Sequence, residues 1–333
     1  MSAAEPAAPK TSLEEIRAEL ARTKLTASTM NFLVWIDDPA RRDWILERAA
    51  LLSEKHPSLT IVLDHTGACE HGEITTGERD EHVDFTVQGE RVQLDVSCLN
   101  AETILGYVAA LVKTSVPTIL WWSGLNEDSA PIFYALLPLA NTLLFDSSGG
   151  VADESTVRRL AEFHAKHPHV VLRDLAWLRL RPWQDMIANF FDDPDVTDDV
   201  FTIRRFHVRS GSDAEAFYLG GWLASRLGWK ASGRDAFTDL AGAAVRFERV
   251  REGEVRRVHG ICLDSETSWY HAEVTEDATV VRMWVEGEHA REPRLFPLAA
   301  MDNASLLERA ILEGVNADEV YETALKSVAT LLG

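Results

Sequence analysis

Five unbroken apolar runs set the fold class of the first half of this chain: Asn31 to Ile36 (NFLVWI), Leu59 to Leu63, Pro117 to Trp122 (PTILWW), Thr142 to Phe145 and His169 to Leu172. A strand that alternates apolar and polar residues buries one face, whereas an unbroken apolar run suits a strand buried on both. Segments with helical spacing separate these runs: Trp44 to Leu52, ending at His56-Pro57, then Ile104 to Val112, Pro131 to Leu139 and Val157 to His164. Parallel neighbours need such crossovers. The pattern predicts a mostly parallel sheet with helices on both faces. Val83 to Val87 and Val92 to Val96 alternate around Gly89, which predicts one hairpin in this half. Ser12 and Glu15 form a capping box ahead of Ile16 and Leu20, so a short helix opens the ordered chain.

The second half has a different rhythm. Trp183 to Phe191 is an amphipathic helix, followed by the acidic stretch DDPDVTDD. Phe201 to Val208 alternates as a strand, and Asp213 is placed as the cap of a helix running to Gly228. Alternating runs follow at Ala243 to Val250, Val255 to Leu263, Trp269 to Val274 and Thr279 to Val285. Their short polar turns predict an antiparallel meander. Two helices close the chain, Asn303 to Leu312 and Ala317 to Leu332, the latter with Asn316 as its expected cap. The expected organisation is a flexible tail at 1–11, a mostly parallel α/β domain at 12–172, and an α+β domain at 173–333 with an antiparallel meander and flanking helices.

Charge narrows the partners. Lys and Arg number 33 against 53 Asp and Glu, a formal net charge of −20. That field repels phosphate backbones and anionic headgroups, so neither nucleic acid nor membrane is expected as a partner. It leaves room for a protein with a basic face. The opening MSAAEPAAPK lacks the apolar core of a signal peptide, and no run is long enough to span a bilayer, so a cytoplasmic location is expected. Cys69, Cys98 and Cys262 lie far apart with no Cys-x-x-Cys pair, which suits a reducing compartment rather than a disulfide framework.

A search for chemistry returns little. No G-x-G-x-x-G or Walker loop follows a strand, so no nucleotide cofactor is expected. Ser147 to Gly150 follows a strand and precedes a helix, where amides can hold an anion; the alternative is a plain turn with Asp153 as helix cap. His65, Cys69 and His71, flanked by Asp64 and Glu73, make one metal-like cluster, but strong zinc signatures pair two, and no metal is expected. The acidic stretch fails as a calcium loop, because Asp198 stands where glycine is needed and Arg204 where the bidentate glutamate belongs; it reads as a solvated linker. No G-x-S-x-G elbow is present, and Cys98 reads as a buried thiol at a strand end. The chain reads as a binding protein, not an enzyme.

Aromatic and arginine clusters are the positive signal. Trp121-Trp122 end a central strand, near the usual crevice of an open α/β sheet, and must point to opposite faces. Trp177, Arg179, Arg181 and Trp183 follow within DLAWLRLRPWQDMI. Trp and Arg are enriched at interface hot spots, so these six residues are the candidate partner contacts; the competing account is that the tryptophans pack a core. Gly220-Gly221, Ala224 and Ser225 mark a helix that packs closely and is structural.

The segments NFLVWIDD, HPSLTIVL, VPTILWWSG, DLAWLRLRPWQDMIANFFDD, YLGGWLASRLGW and DEVYETALKSV, in this order from Met30 to Leu332, resemble the OpcA family, the bacterial glucose-6-phosphate dehydrogenase assembly proteins. The resemblance implies a non-catalytic partner of glucose-6-phosphate dehydrogenase, the entry enzyme of the oxidative pentose phosphate pathway. Such a protein binds the enzyme, favours its active oligomer and raises its activity allosterically. In some photosynthetic members the effect is tied to thiol redox state, but the spacing of Cys69, Cys98 and Cys262 matches no motif for it. The alternative function is a sugar-phosphate sensor built on the α/β domain near Ser147 to Gly150.

Overall fold

The computed structural model describes residues 12–22, 28–68, 83–124, 129–149, 154–253, 257–298 and 302–332. The chain resolves into two compact units, Met1–Phe145 and Asp146–Gly333.

The first unit contains α1 (Ser12–Arg22), β1 (Met30–Ile36), α2 (Arg42–Lys55), β2 (Ser58–Asp64), β3 (Phe85–Gln88), β4 (Arg91–Asp95), α3 (Ala101–Leu111), β5 (Thr118–Trp122), α4 (Ala130–Leu136) and β6 (Thr142–Phe145). Within it the strand order is β3-β4-β2-β1-β5-β6. β1 runs parallel to β2 and β5, β2 to β4, and β5 to β6, while β3 and β4 form the antiparallel hairpin. Every residue of β1, β2, β5 and β6 is buried, as their unbroken apolar sequences require. The hairpin strands alternate, and Gly89 turns between them with φ 65°, a conformation that suits glycine. The buried Asn31 side chain is satisfied by the Lys113 carbonyl, the Thr118 hydroxyl and the Lys113 amide at 2.9, 3.1 and 2.8 Å, which fixes β1 against the entry to β5.

The second unit contains α5 (Glu154–Lys166), β7 (Val171–Asp174), α6 (Leu175–Arg179), α7 (Arg181–Phe190), β8 (Arg205–Ser210), α8 (Asp213–Leu227), β9 (Lys230–Gly233), β10 (Ala236–Thr238), β11 (Ala244–Arg251), β12 (Val258–Asp264), β13 (Ser268–Val274), β14 (Val280–Gly287), β15 (Arg291–Pro297), α9 (Asn303–Glu313) and α10 (Glu319–Leu332). Eight strands form one sheet in the order β15-β14-β13-β12-β8-β11-β10-β9. The meander is real from β12 to β15, all antiparallel. It does not begin at β11, as the sequence suggests: β8 lies between β11 and β12, and β11 pairs with β8 in parallel. The physical reason is a crossover, since α8 carries the chain back so that β11 re-enters beside β8. Phe206, Val208, Phe247, Leu263 and Tyr270 fill the inner face of this sheet. Two caps also shift. Ser212, not Asp213, caps α8 by accepting from the Glu215 amide, and Asp318, not Asn316, caps α10 by accepting from the Val320 and Tyr321 amides.

Candidate functional site

Ligands of an open α/β sheet sit where strand order reverses, beyond the carboxyl ends of the strands on either side. In the first unit that place lies between β1 and β5. Trp35 is the register partner of Trp122, and their rings stack at 5.0 Å. The chain leaves β1 as Asp37-Asp38-Pro39, with no glycine-rich turn. Asp38 accepts from the Ala40 amide at 2.9 Å and Asp37 from the Ser129 hydroxyl at 3.1 Å. A Cβ built on Gly124, just after β5, would lie 2.0 Å from Asp37 Oδ1, so the carboxylate fills the space there. A dinucleotide pyrophosphate needs free amides and a close glycine backbone, and two carboxylates repel it. The residues present do not fit a dinucleotide.

The second unit holds a buried polar centre. Arg179, on α6, donates through Nε to Glu215 of α8 at 2.9 Å, and through its terminal nitrogens to Asp146 at 2.6 and 3.2 Å, to Asn303 at 3.3 Å and to the Ser148 hydroxyl. These bonds occupy all five N–H groups of the guanidinium. The second Glu215 oxygen accepts from the Val258 amide at 3.0 Å. Asp174 caps α6 and gathers four donors: the Ser147 and Ala176 amides at 3.0 and 2.9 Å, and the Tyr218 and Tyr321 hydroxyls at 2.7 and 3.3 Å. Electrostatics follow from this packing. Burial opposes ionisation of Asp146, but Arg179 and Ser148 hold its carboxyl below the usual carboxylate range. Burial pushes Glu215 up to about 7, against the pull of Arg179. Burial and the Asp146 charge raise Asp174, and burial raises both tyrosines well above the usual phenol range. With no donor left over, Arg179 fastens the unit from within.

The sequence-predicted residues therefore take distinct places. Trp121 packs on Phe32 and Trp44, and Trp122 on Trp35 and Phe133. Both rings are buried, as are Trp177, Arg179 and Trp183. Trp177 Nε1 donates to Asp318 at 2.9 Å. Arg181 is different: its side chain is 36% exposed and reaches Glu313 at 3.0 Å. It lines a groove of about 410 Å³ with Arg173, Glu313, Asn316 and Asp318. Arg173 closes the floor by donating to the Glu313 and Asn316 carbonyls past the end of α9.

Several sequence readings change. The amides of Ser147, Ser148 and Gly149 donate to Asp174, Asp146 Oδ1 and the Asp146 carbonyl, so the proposed anion turn is already filled by protein groups. The acidic stretch is not merely solvated. Asp199 accepts from the Tyr270, Ser265 and Thr267 hydroxyls at 2.6, 3.2 and 3.2 Å, and Asp193 from Arg291 at 2.8 Å. Cys98 is half-buried and disulfide-bonded where the sequence suggests a buried thiol, and Cys262 is free. Asp64 accepts from Arg42 at 2.7 Å and His65 packs on Trp35, while Cys69, His71 and Glu73 lie outside the described residues. Among the described residues no group of three or more His, Cys, Asp or Glu could hold a metal ion, and no helix is long and apolar enough to cross a membrane. The sequence reading missed Asp146, Asp174, Glu215, Tyr218 and Tyr321. For Asp146 and Glu215 the signal was a carboxylate set against an apolar run, as in TLLFD and EAFYL.

Fold and site define an α/β protein whose cofactor crevice is filled by its own carboxylates and whose charged centre is turned inward. Residues 49–162 match the family model described as the glucose-6-phosphate dehydrogenase subunit N-terminal domain, and residues 170–325 that of the C-terminal domain. The chain belongs to the OpcA family of glucose-6-phosphate dehydrogenase assembly proteins. It is similar to the OxPP cycle protein OpcA of Nostoc punctiforme (32% identical over 143 residues, 42% of this chain and 30% of that one). It is similar also to that of Synechocystis sp. (34% over 130 residues, 38% and 27%). These matches span less than a third of the relatives' length. Among solved structures, levoglucosan dehydrogenase in its apo form shares the fold, with a TM-score of 0.50, 10% identity and coverage of 91% of this chain and 96% of that one.

Proposed function

We propose that this chain is a non-catalytic partner of glucose-6-phosphate dehydrogenase that promotes the enzyme's active oligomer and activates it allosterically in the oxidative pentose phosphate pathway. The observation that carries the reading is the β1/β5 crevice: Asp37 and Asp38 stand where a pyrophosphate loop belongs, so this α/β sheet does not fit a dinucleotide. Family membership supplies the partner. An activator must bind the active state of the enzyme more tightly than the inactive one. In this reading the enzyme contacts the Arg181 groove, and the buried Trp177, Arg179 and Trp183 hold that surface from within, while Trp121-Trp122 support the first unit in the same indirect way.

The test is the dehydrogenase activity of the enzyme from the same organism, with and without this chain, across a range of glucose 6-phosphate concentrations. A saturable rise in maximal rate or in apparent affinity, with no turnover by this chain alone, is expected. Arg181→Glu should raise the half-saturating concentration of the chain about tenfold, equivalent to about 1.4 kcal/mol, because a rim arginine at a hot spot becomes a carboxylate beside Glu313. No change in rate and no co-elution with the enzyme would overturn the reading.

A further inference from the structure

The groove beside Arg181 holds an unspent donor. Its floor is Arg173 of β7, whose side chain is 4% exposed. Arg179 uses every N–H it has within the unit, but Arg173 does not. Its terminal nitrogens donate to the carbonyls of Leu172, Glu313 and Asn316, and its Nε has no hydrogen-bond partner. Glu313 Oε2 stands 3.9 Å from that Nε, beyond hydrogen-bond reach. Burial lowers the pKa of Arg173 against the pull of Glu313 and Asp318, so its own chain repays the charge incompletely. A buried donor without an acceptor is costly, and an oxygen brought to it recovers that cost.

The surroundings of this donor suit an anion. Three arginines meet one carboxylate: Glu313 Oε1 lies 3.0 Å from Arg181 and 3.1 Å from Arg309, while Arg173 faces the other oxygen. α10 begins at the groove, and a helix N-terminus carries partial positive charge. Asp318 accepts from the Val320 and Tyr321 amides and the Trp177 indole, so its charge is spent within the chain. The Glu319 amide is left without a partner among the described residues. At about 410 Å³ the space lies within the range of small-molecule sites.

We propose that this groove binds a small organic oxyanion, whose phosphate or carboxylate head is held by Arg173 Nε, Arg181 and the first amide of α10, in place of the Glu313 carboxylate. Glu313 is the occupant the chain supplies itself. Displaced from Arg181, it keeps Arg309 one turn earlier on α9, so its charge is not left unpaired. The incoming head has what Glu313 lacks, a free oxygen that can reach Arg173 Nε. Charge-assisted bonds from two guanidinium groups make that exchange favourable. The carboxylates of Glu313 and Glu319 remain close and repel the ligand, so the affinity is modest. The site goes beyond the enzyme contact proposed for this groove and does not rest on it, since this chain alone suffices to test it.

Isothermal titration calorimetry of the full chain at about 20 mM salt, where screening is weak, tests this with glucose 6-phosphate and succinate as separate probes. Saturable binding of at least one is expected, with a dissociation constant of about 0.1–1 mM. Whichever probe binds tighter names the head group, phosphate or carboxylate. Arg181→Gln should weaken binding about tenfold, and Glu313→Gln should tighten it about threefold or more, because the resident competitor is gone. Arg234 is an exposed arginine elsewhere on the same unit, and Arg234→Gln makes the same change in net charge as Arg181→Gln. It should leave the affinity unchanged. Circular dichroism controls for folding in all three variants, each at a partly or fully exposed position. No saturation by either probe at about 10 mM overturns the proposal. So does an affinity that neither Arg181→Gln nor Glu313→Gln changes, or a loss in Arg234→Gln equal to that in Arg181→Gln.

Discussion

Arg179 spends every N–H it has on Asp146, Glu215, Asn303 and Ser148, inside a unit where none of these groups reaches open water freely. Removing one partner of a buried ion network leaves the others charged and unpaired, which costs about 3–5 kcal/mol. Arg179→Met should therefore lower the free energy of unfolding by that amount, read from the urea midpoint. Arg179→Lys should recover little, because one ammonium cannot span both carboxylates. A change below about 1 kcal/mol for Arg179→Met would show that the network contributes little. Glu215 carries its own signature. Its folded-state pKa, about 7, lies above the 4.5 of a free glutamate. Between those values the folded protein keeps a proton that the unfolded chain has released, so the stability linked to Glu215 is full below the window and declines as pH rises through it. Glu215→Gln has no such proton. The stability of wild type relative to Glu215→Gln should fall between about pH 4.5 and about pH 7 and stay flat above it; a rise across that window would contradict the burial argument.

At the scale of elements, two glycines separate opposing effects. Gly106 lies on an exposed position of α3, and a Cβ there meets nothing within 4 Å. Gly106→Ala should stabilise by about 0.5–1 kcal/mol through helix propensity alone. Gly221 lies on α8, and its Cβ would stand 2.4 Å from the Ala324 carbonyl oxygen and from Val328 of α10. Backbone cannot step aside as a side chain can, so Gly221→Ala should cost about 1–3 kcal/mol despite the same gain in propensity. Thermal or urea unfolding of both variants decides it, and equal effects would refute the close approach. The small-residue run was legible in the sequence, but its partner helix, about a hundred residues downstream, was not. The same limit runs through the fold. NFLVWI, PTILWW and TLLF declare themselves because a strand buried on both faces must be apolar throughout. The edge strands β9 and β15, and β10 next to β9, went unread: KASG and AFT are too short for a period, and REPRLFP carries two prolines. The five-residue helix α6 hides for the same reason. Pairing is less local still, since nothing in β11 or β12 says that β8 will come between them. The site divides likewise: DLAWLRLRPW drew the eye to Trp177, Arg179, Arg181 and Trp183, but only tertiary packing distinguishes an arginine locked to Asp146 and Glu215 from one open to a groove.

For the molecule as a whole, the charge of −20 was legible from composition and its distribution was not. Ion pairing concentrates arginine on the outer sheet face and in the buried centre, where it meets carboxylates of its own chain. The excess negative charge is thus left for the remaining surface. A surface of one sign acts at a distance, steering an encounter with a basic partner before any contact forms, and it is screened as the Debye length falls from about 14 Å at 0.05 M salt to about 4 Å at 0.5 M. The contact proposed at the Arg181 groove acts at short range and should survive that change better. Activation of glucose-6-phosphate dehydrogenase should therefore respond to salt in one parameter only. Raising the salt across that range should increase the half-saturating concentration of the chain several-fold, while the rate reached at saturation, corrected for the enzyme's own salt response, stays the same. Stopped-flow mixing would place the change in the association rate. A half-saturating concentration indifferent to salt would mean that the acidic surface takes no part in the encounter, and that recognition rests on short-range packing alone.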